Sequence, residues 1–227
     1  MRKDAERVLI KRRAPFVVAQ KPPGMPDGPD LVDALMAEGG FRQPPRLCHR
    51  LEPEVSGVML LATSVKAEQA AVREFASRRV RTSYVALCAG RMESKQLVEV
   101  PLALENGRLT PRPDGARYRT LCVPLWCGPG LSVVLARPSS TRAEQVRTHL
   151  AAAGHAVLGD QQHGAPGDCR PMLHLCRIML RCLEHDLTLD AQVWPDLAAI
   201  LRQLGAPVPR AKDVDDALSG VVRELDL

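Results

Sequence analysis

A single mixed α+β domain is what this sequence predicts, and three observations carry the prediction. Short apolar runs that read as strands and amphipathic stretches that read as helices are interleaved without a regular βαβ alternation. Neither G-x-G-x-x-G nor G-x-x-x-x-G-K-[ST] occurs, which disfavours a nucleotide-cofactor fold. The chain of 227 residues shows no internal repeat and no low-complexity segment, a length that fits one large domain.

From the N-terminus, residues 16–20 (FVVAQ) form a short apolar strand that runs into a tight turn at Lys21-Pro22-Pro23-Gly24. Asp30 is placed to cap a short helix, LVDALMAE, which Gly39-Gly40 stop. After a loop over 41–54, Ser56-Gly57 leads into VMLLA, whose unbroken apolar character predicts a strand buried on both faces. The stretch 64–79 holds Ala67, Ala71 and Phe75 at a spacing of four, an amphipathic helix whose other face carries Lys66, Arg73, Arg78 and Arg79. Residues 84–88 (YVALC), 121–126 and 131–136 read as strands, the last two joined as a hairpin through Cys127-Gly128-Pro129-Gly130. Over 141–153 a helix is expected, with Thr141 and Glu144 as a capping box, Val146 and Leu150 as the apolar stripe and Gly154 as the stop. A last helix starts near Pro195, buries Leu197, Ile200, Leu201 and Leu204, and ends at Gly205. The expected organisation is a basic arm over 1–15, the domain over 16–205 and a loosely attached acidic tail over 206–227.

Composition narrows the function. With 45% hydrophobic and 25% charged residues the chain is neither disordered nor fibrous. No window approaches the roughly 18 consecutive apolar residues of a membrane span, and the opening MRKDAERVLIKRR has no apolar core like that of a secretory signal. Seven scattered cysteines without a C-x-x-C read as buried thiols of an intracellular, reducing compartment, mitochondrion or cytoplasm. The net charge is +5, and 25 of the 31 basic residues are arginines, whose planar guanidinium grips phosphate bidentately. The stretch 206–227 carries −2 and the rest of the chain +7, which favours a polyanionic partner for the body. Aromatic residues are only 3%, so a ring-rich platform for single-stranded bases is not expected.

The stretch that concentrates chemistry is Arg46-Leu47-Cys48-His49-Arg50-Leu51-Glu52-Pro53-Glu54-Val55-Ser56-Gly57. Guanidinium groups, an imidazole and carboxylates share one loop at the end of a buried strand, where catalytic groups commonly sit. Spacing alone also describes a solvated loop with an ion pair from Arg50 to Glu52 or Glu54. His49, His155 and His174 have no metal-ligand spacing, and no metal is expected.

Residues 49–57 (HRLEPEVSG) resemble the H-R-L-D-x-x-T-S-G signature of the RluA-type RNA pseudouridine synthases. Five further motifs of that family follow the same order. Lys21-Pro22-Pro23-Gly24 resembles K-P-x-G, residues 84–90 (YVALCAG) resemble Y-x-A-x-x-x-G, and 140–150 (STRAEQVRTHL) resemble T-G-R-T-H-Q-I-R-V-H-L. Residues 154–160 (GHAVLGD) resemble G-H-P-I-x-G-D, and Met172-Leu173-His174 the closing L-L-H. The resemblance implies a mixed, mostly antiparallel sheet with flanking helices and a central cleft for a flipped-out uridine of structured RNA. It implies no cofactor. The family's catalytic Asp falls on Glu52, its candidate base on Tyr84 and the arginine that holds the acid on Arg147. Lys21, Arg46, His49, Arg50, Arg78, Arg79, Arg81 and Arg142 are the expected RNA contacts.

Departures cluster at the implied site: Glu52 stands for Asp, Val55 for Thr, Thr82 for Lys, Thr141 for Gly, Glu144 for His and His163 for Tyr. Framework glycines such as Gly24, Gly57, Gly90, Gly154 and Gly159 stay. A kept scaffold with a drifted site favours an RNA-binding protein of lost or weakened catalysis, a component of a ribosome or its assembly particle with protein neighbours there. An active synthase isomerising uridine in ribosomal or transfer RNA, with Glu52 in the Asp role, is the alternative.

Overall fold

The computed structural model of the chain describes residues 8–165 and 167–219. In chain order the elements are β1 (Leu9–Arg13), β2 (Phe16–Lys21), α1 (Pro29–Glu38), β3 (Arg46–Leu47), β4 (Ser56–Ala62), α2 (Val65–Ala76), β5 (Arg81–Ala89), β6 (Gln96–Glu105), β7 (Arg108–Pro111) and β8 (Ala116–Gly128). There follow β9 (Leu131–Pro138), α3 (Ala143–Ala152), β10 (Leu173–Cys182), β11 (His185–Asp190), α4 (Pro195–Gln203) and α5 (Ala211–Leu218).

One sheet runs in the order β1-β2-β4-β10-β5-β9-β8-β6-β7, with β3 also on β4 and β11 also on β10. Its one parallel pairing among the described residues joins β4 to β10, Ser56 opposite His174 and Gly57 opposite Leu175. The mostly antiparallel α+β sheet is therefore as expected. Gly57 has a physical role at this junction: its φ is +149°, and a Cβ there would collide with the Leu175 backbone.

Alternation along β5 divides the core. Tyr84, Ala86 and Cys88 face one side, where Leu31 and Leu35 of α1, Ala67 and Ala71 of α2 and Val146 and Leu150 of α3 pack. Val85 and Leu87 face the other, under Leu197 and Leu201 of α4 and Val214 and Leu218 of α5. All seven residues of β4 are buried, as an unbroken apolar strand requires.

Several expectations fail locally. The basic arm expected over 1–15 contains β1, antiparallel to β2, while residues 1–7 lie outside the described residues. Its LIKRR sequence lacks an apolar signal because an edge strand tolerates charge. The tail is not loose through 218, since α5 buries two apolar side chains and Arg177 of β10 pairs with Asp215. Asp30 lies inside α1, with Gly28 at the N-cap and Pro29 opening the helix. Likewise no capping box forms at α3: Arg142 is its N-cap and no side chain closes it.

Candidate active site

The Glu52 loop is braced from both sides before β4 begins. Lys21 at the end of β2 is fully buried, and its ammonium donates to the carbonyls of Pro22 (3.1 Å), Met25 (2.8 Å) and Pro53 (2.9 Å). Burial lowers its pKa to about 8, Asp27 opposing. From the other side Arg170, anchored on Asp196 at 2.8 and 2.9 Å, donates to the Glu54 carbonyl (3.2 Å) and to Ser56 Oγ (3.1 Å). These bonds fix the backbone on either side of the Glu52 carboxylate.

Opposite stands Arg147, buried on α3, whose guanidinium bridges two acids. Its Nη1 donates to Glu52 Oε2 at 2.7 Å, while Nε and Nη2 grip Asp160 at 2.8 and 2.7 Å. Asp160 is fully buried and also accepts from the Gln162 backbone (3.1 Å) and bonds to His163 Nδ1 (2.8 Å). Gly159 places it: a Cβ at this position, with φ +80°, would collide with the Arg170 carbonyl oxygen. Burial works against the Asp160 charge, yet the bonds from Arg147 and His163 outweigh it and hold the carboxyl well below the usual range. Glu52 moves the other way. Burial raises its pKa despite Arg147, and Glu144 and Glu54 raise it further.

Tyr84 sits in β5 with its ring fully buried and its hydroxyl donating to the Thr141 carbonyl at 3.3 Å. Burial, and next the charge of Glu52, push the phenol well above its ordinary pKa. The structure thus brings Arg147 of α3 onto Glu52 of the loop before β4 and sets Tyr84 of β5 within reach of the Glu52 charge.

A cleft of about 530 Å³ opens over Glu52, with Asp27, Arg50, Arg142 and Glu144 in its walls. Arg142 and Arg50 are exposed there, and Arg50 donates to the Asp27 carbonyl at 2.5 Å. The absent capping box leaves Glu144 in the first turn of α3 as an acid of this cleft, beside Asp27 and Glu52.

The remaining expected contacts divide. Lys21 is excluded as an RNA contact, because its three donors are consumed by carbonyls. His49 is a packing residue: Nε2 accepts from the Leu60 N–H (3.0 Å), the ring stacks on Phe75 at 4.7 Å, and burial lowers its pKa to about 4. Arg46 of β3 pairs with Glu68 of α2. Arg78, Arg79 and Arg81 lie outside the cleft and line a neighbouring groove with Arg117 and Arg137. Sequence reasoning missed Asp160 and Arg170; only the matched G-x-x-x-x-G-D segment pointed to Asp160, and nothing local marked Arg170.

A family profile described as RNA pseudouridylate synthase matches residues 15–152, more than half of the chain. The chain belongs to this family. It is 30% identical over 206 residues to an uncharacterized RNA pseudouridine synthase of Chloroflexus aurantiacus, covering 83% of this chain and 64% of that one. A Zymomonas mobilis relative, an uncharacterized RNA pseudouridine synthase, is 30% identical over 79% of this chain and 90% of its own. Ribosomal large subunit pseudouridine synthase D of Nitrosomonas europaea is 25% identical over 76% of this chain and 55% of its own. The chain therefore spans less than two thirds of the first and third of these relatives. In fold it matches human RNA pseudouridylate synthase domain containing 4 with a TM-score of 0.75 at 22% identity, over 90% of this chain and 95% of that one. The pseudouridine synthase fold expected from the motifs is thereby established, and the RluA-type assignment is supported by the family profile and the Nitrosomonas relative.

Proposed function

We propose that this synthase-family protein binds structured RNA, ribosomal RNA first, and that its power to isomerise uridine is weakened. One observation carries the weakening: Glu144, free of any capping role, shares the cleft with Glu52. A nucleotide entering there meets three carboxylates, of Asp27, Glu52 and Glu144, against the two guanidinium groups of Arg50 and Arg142. The methylene by which Glu52 exceeds an Asp works in the same direction, since a misplacement of about 1 Å at a reacting centre costs about a hundredfold in rate. Ribosomal RNA is favoured by the Nitrosomonas relative named for the large ribosomal subunit. On this reading ribosomal or assembly-factor proteins are its neighbours and no cofactor takes part. The seven free cysteines support a reducing compartment, cytoplasmic or mitochondrial. For the domain limits, the reading keeps 16–205 as the synthase unit with β1 and α5 as flanking additions.

The contact of 2.7 Å between Arg147 and Glu52 favours a second reading, an active synthase. Isomerisation breaks the N1–C1′ bond of uridine and forms C5–C1′; the C5 proton leaves and N1 gains one, so composition is unchanged. In that reaction Glu52 would act at the reacting centre, Tyr84 would take the proton and Arg147 would hold the carboxylate.

The deciding experiment measures pseudouridine in total structured RNA after incubation with the purified protein, a Glu52→Asp variant and a Glu52→Ala variant. Little product from the natural protein, rising about a hundredfold with Asp, is expected. Robust product from the natural protein that disappears with Ala would establish the second reading. A natural protein that neither modifies RNA nor retards it in a gel would remove both.

A further inference from the structure

Next to the cleft lies a groove of about 500 Å³ whose walls carry Arg78, Arg79, Arg81, Arg117 and Arg137 and no carboxylate. The two depressions share their framework. The end of α2 contributes Phe75 to the cleft and Ser77 to the groove, and the segment after β9 contributes Ser139 to the groove and Thr141 to the cleft. The two depressions therefore adjoin.

Its arginines are not equally committed to the protein. Arg79 donates to both oxygens of Glu74 at 2.8 and 2.9 Å. Arg78 and Arg117 pair with no carboxylate among the described residues. Arg78 is held at φ +59°, a conformation that costs energy in a residue with a Cβ, and its guanidinium lies 5.3 Å over the Tyr118 ring. The left-handed backbone at Arg78 is the turn by which the chain leaves α2 after its C-cap Ser77, and it brings the guanidinium to the rim of the groove.

We propose that this groove seats the phosphates of a double-helical RNA segment flanking the nucleotide presented to the cleft, with Arg78 and Arg117 as its principal contacts. The inference rests on the RNA-binding reading above and gives it a docking path. Phosphates are chosen because guanidinium groups bind their oxygens bidentately and no acid stands in the groove to serve a cationic ligand. A helical segment is chosen over a single strand because Tyr118 is the one ring beside the groove among the described residues, too little for successive base stacking.

The test titrates salt against binding of a fluorescent hairpin RNA to the full chain, to Arg78→Ala/Arg117→Ala and to Arg202→Ala, an exposed arginine on α4 across the sheet. Thermal melts confirm that each variant folds. Loss of both groove arginines is expected to weaken binding at least tenfold at low salt and to reduce the slope of log K against log salt by about 2, roughly 1 for each phosphate no longer neutralised. Arg202→Ala should change neither. Natural protein that binds the hairpin while the double variant binds with the same affinity and slope overturns the docking path alone. Natural protein that binds no RNA overturns both the path and the RNA reading. Oligouridine competing as well as the hairpin would make the groove a single-strand site, and polyglutamate displacing the hairpin selectively would make it a seat for an acidic protein; either outcome overturns the proposal.

Discussion

The cleft and the groove are neighbours built on the same two segments of chain, yet their charges diverge. Three carboxylates face two arginines in the cleft, whereas five arginines and no carboxylate line the groove. The difference separates two tasks that a nucleic-acid-modifying protein performs together. Phosphate contacts supply affinity and register, and tolerate change because each is worth little and acts additively. Chemistry on a base depends on one carboxylate placed within a fraction of an ångström. On the proposed reading, a basic groove beside an acidic cleft preserves binding at the expense of rate.

The hardest strain on this comparison comes from Asp160→Asn. The variant keeps the shape but leaves the buried Arg147 guanidinium without its main counter-charge, and removing one partner from a buried pair costs about 3–5 kcal/mol. Urea unfolding should show a loss of that size. If the groove carries RNA affinity as proposed, affinity of the folded variant should stay within about twofold; a collapse would show that cleft and groove are one site.

His49 offers the next largest effect, confined to the cleft loop. Its folded pKa of about 4 lies below the ordinary 6.5, so the unfolded chain takes up a proton first as pH falls. The stability it contributes is whole above pH 6.5 and is lost progressively down to about pH 4. Buried His174, with a pKa of about 3, acts in the same sense. Replacing His49 by Gln, which retains an acceptor for the Leu60 N–H but does not titrate, should flatten the loss by about 3 kcal/mol. An unchanged acid limb in urea unfolding would show that protonation of this ring is not resisted by the fold.

Much of the fold was legible because its signals are local: VMLLA announced a strand buried on both faces, and Ala67, Ala71 and Phe75 announced α2. What stayed hidden has partners distant in sequence. β6 and β7 are half-exposed strands whose apolar alternation is weak, so only their pairing identifies them. At the site, Glu52, Tyr84 and Arg147 were readable from motif order, but Asp160 and Arg170 act through contacts no spacing encodes. Lys21, expected among the RNA contacts, supports the loop of the site instead, because burial gives its donors to three carbonyls. Thr141 and Glu144 matched a capping box in letters, yet Arg142 took the cap and released Glu144 into the cleft.

That release makes Glu144→Gln the variant that sharpens the contrast. Removing one of the cleft's three acids lessens the repulsion of an entering nucleotide. The effect of a partly exposed charge is about 1 kcal/mol, or roughly fivefold in affinity for hairpin RNA. Glu144 is also among the charges that raise the Glu52 pKa, so the acid limb of any isomerase activity should move to lower pH. Tighter binding with an unmoved pH profile would mean that Glu144 repels RNA without acting on Glu52.

The smallest effect belongs to Arg46→Ala, and it tests whether charge as such or charge in the groove governs binding. Arg46 lies in β3, six residues before Glu52, but its guanidinium is paired with Glu68 and it lines neither the cleft nor the groove. An exposed ion pair of this kind contributes about 0–1 kcal/mol, so the melting temperature should barely move. Hairpin affinity and its salt slope should likewise stay at natural values, in contrast to the weakening expected for Arg78 and Arg117. Should Arg46→Ala weaken binding as much as one groove arginine does, affinity would follow the total charge of this face, and the distinction between a basic groove and an acidic cleft would lose its functional content.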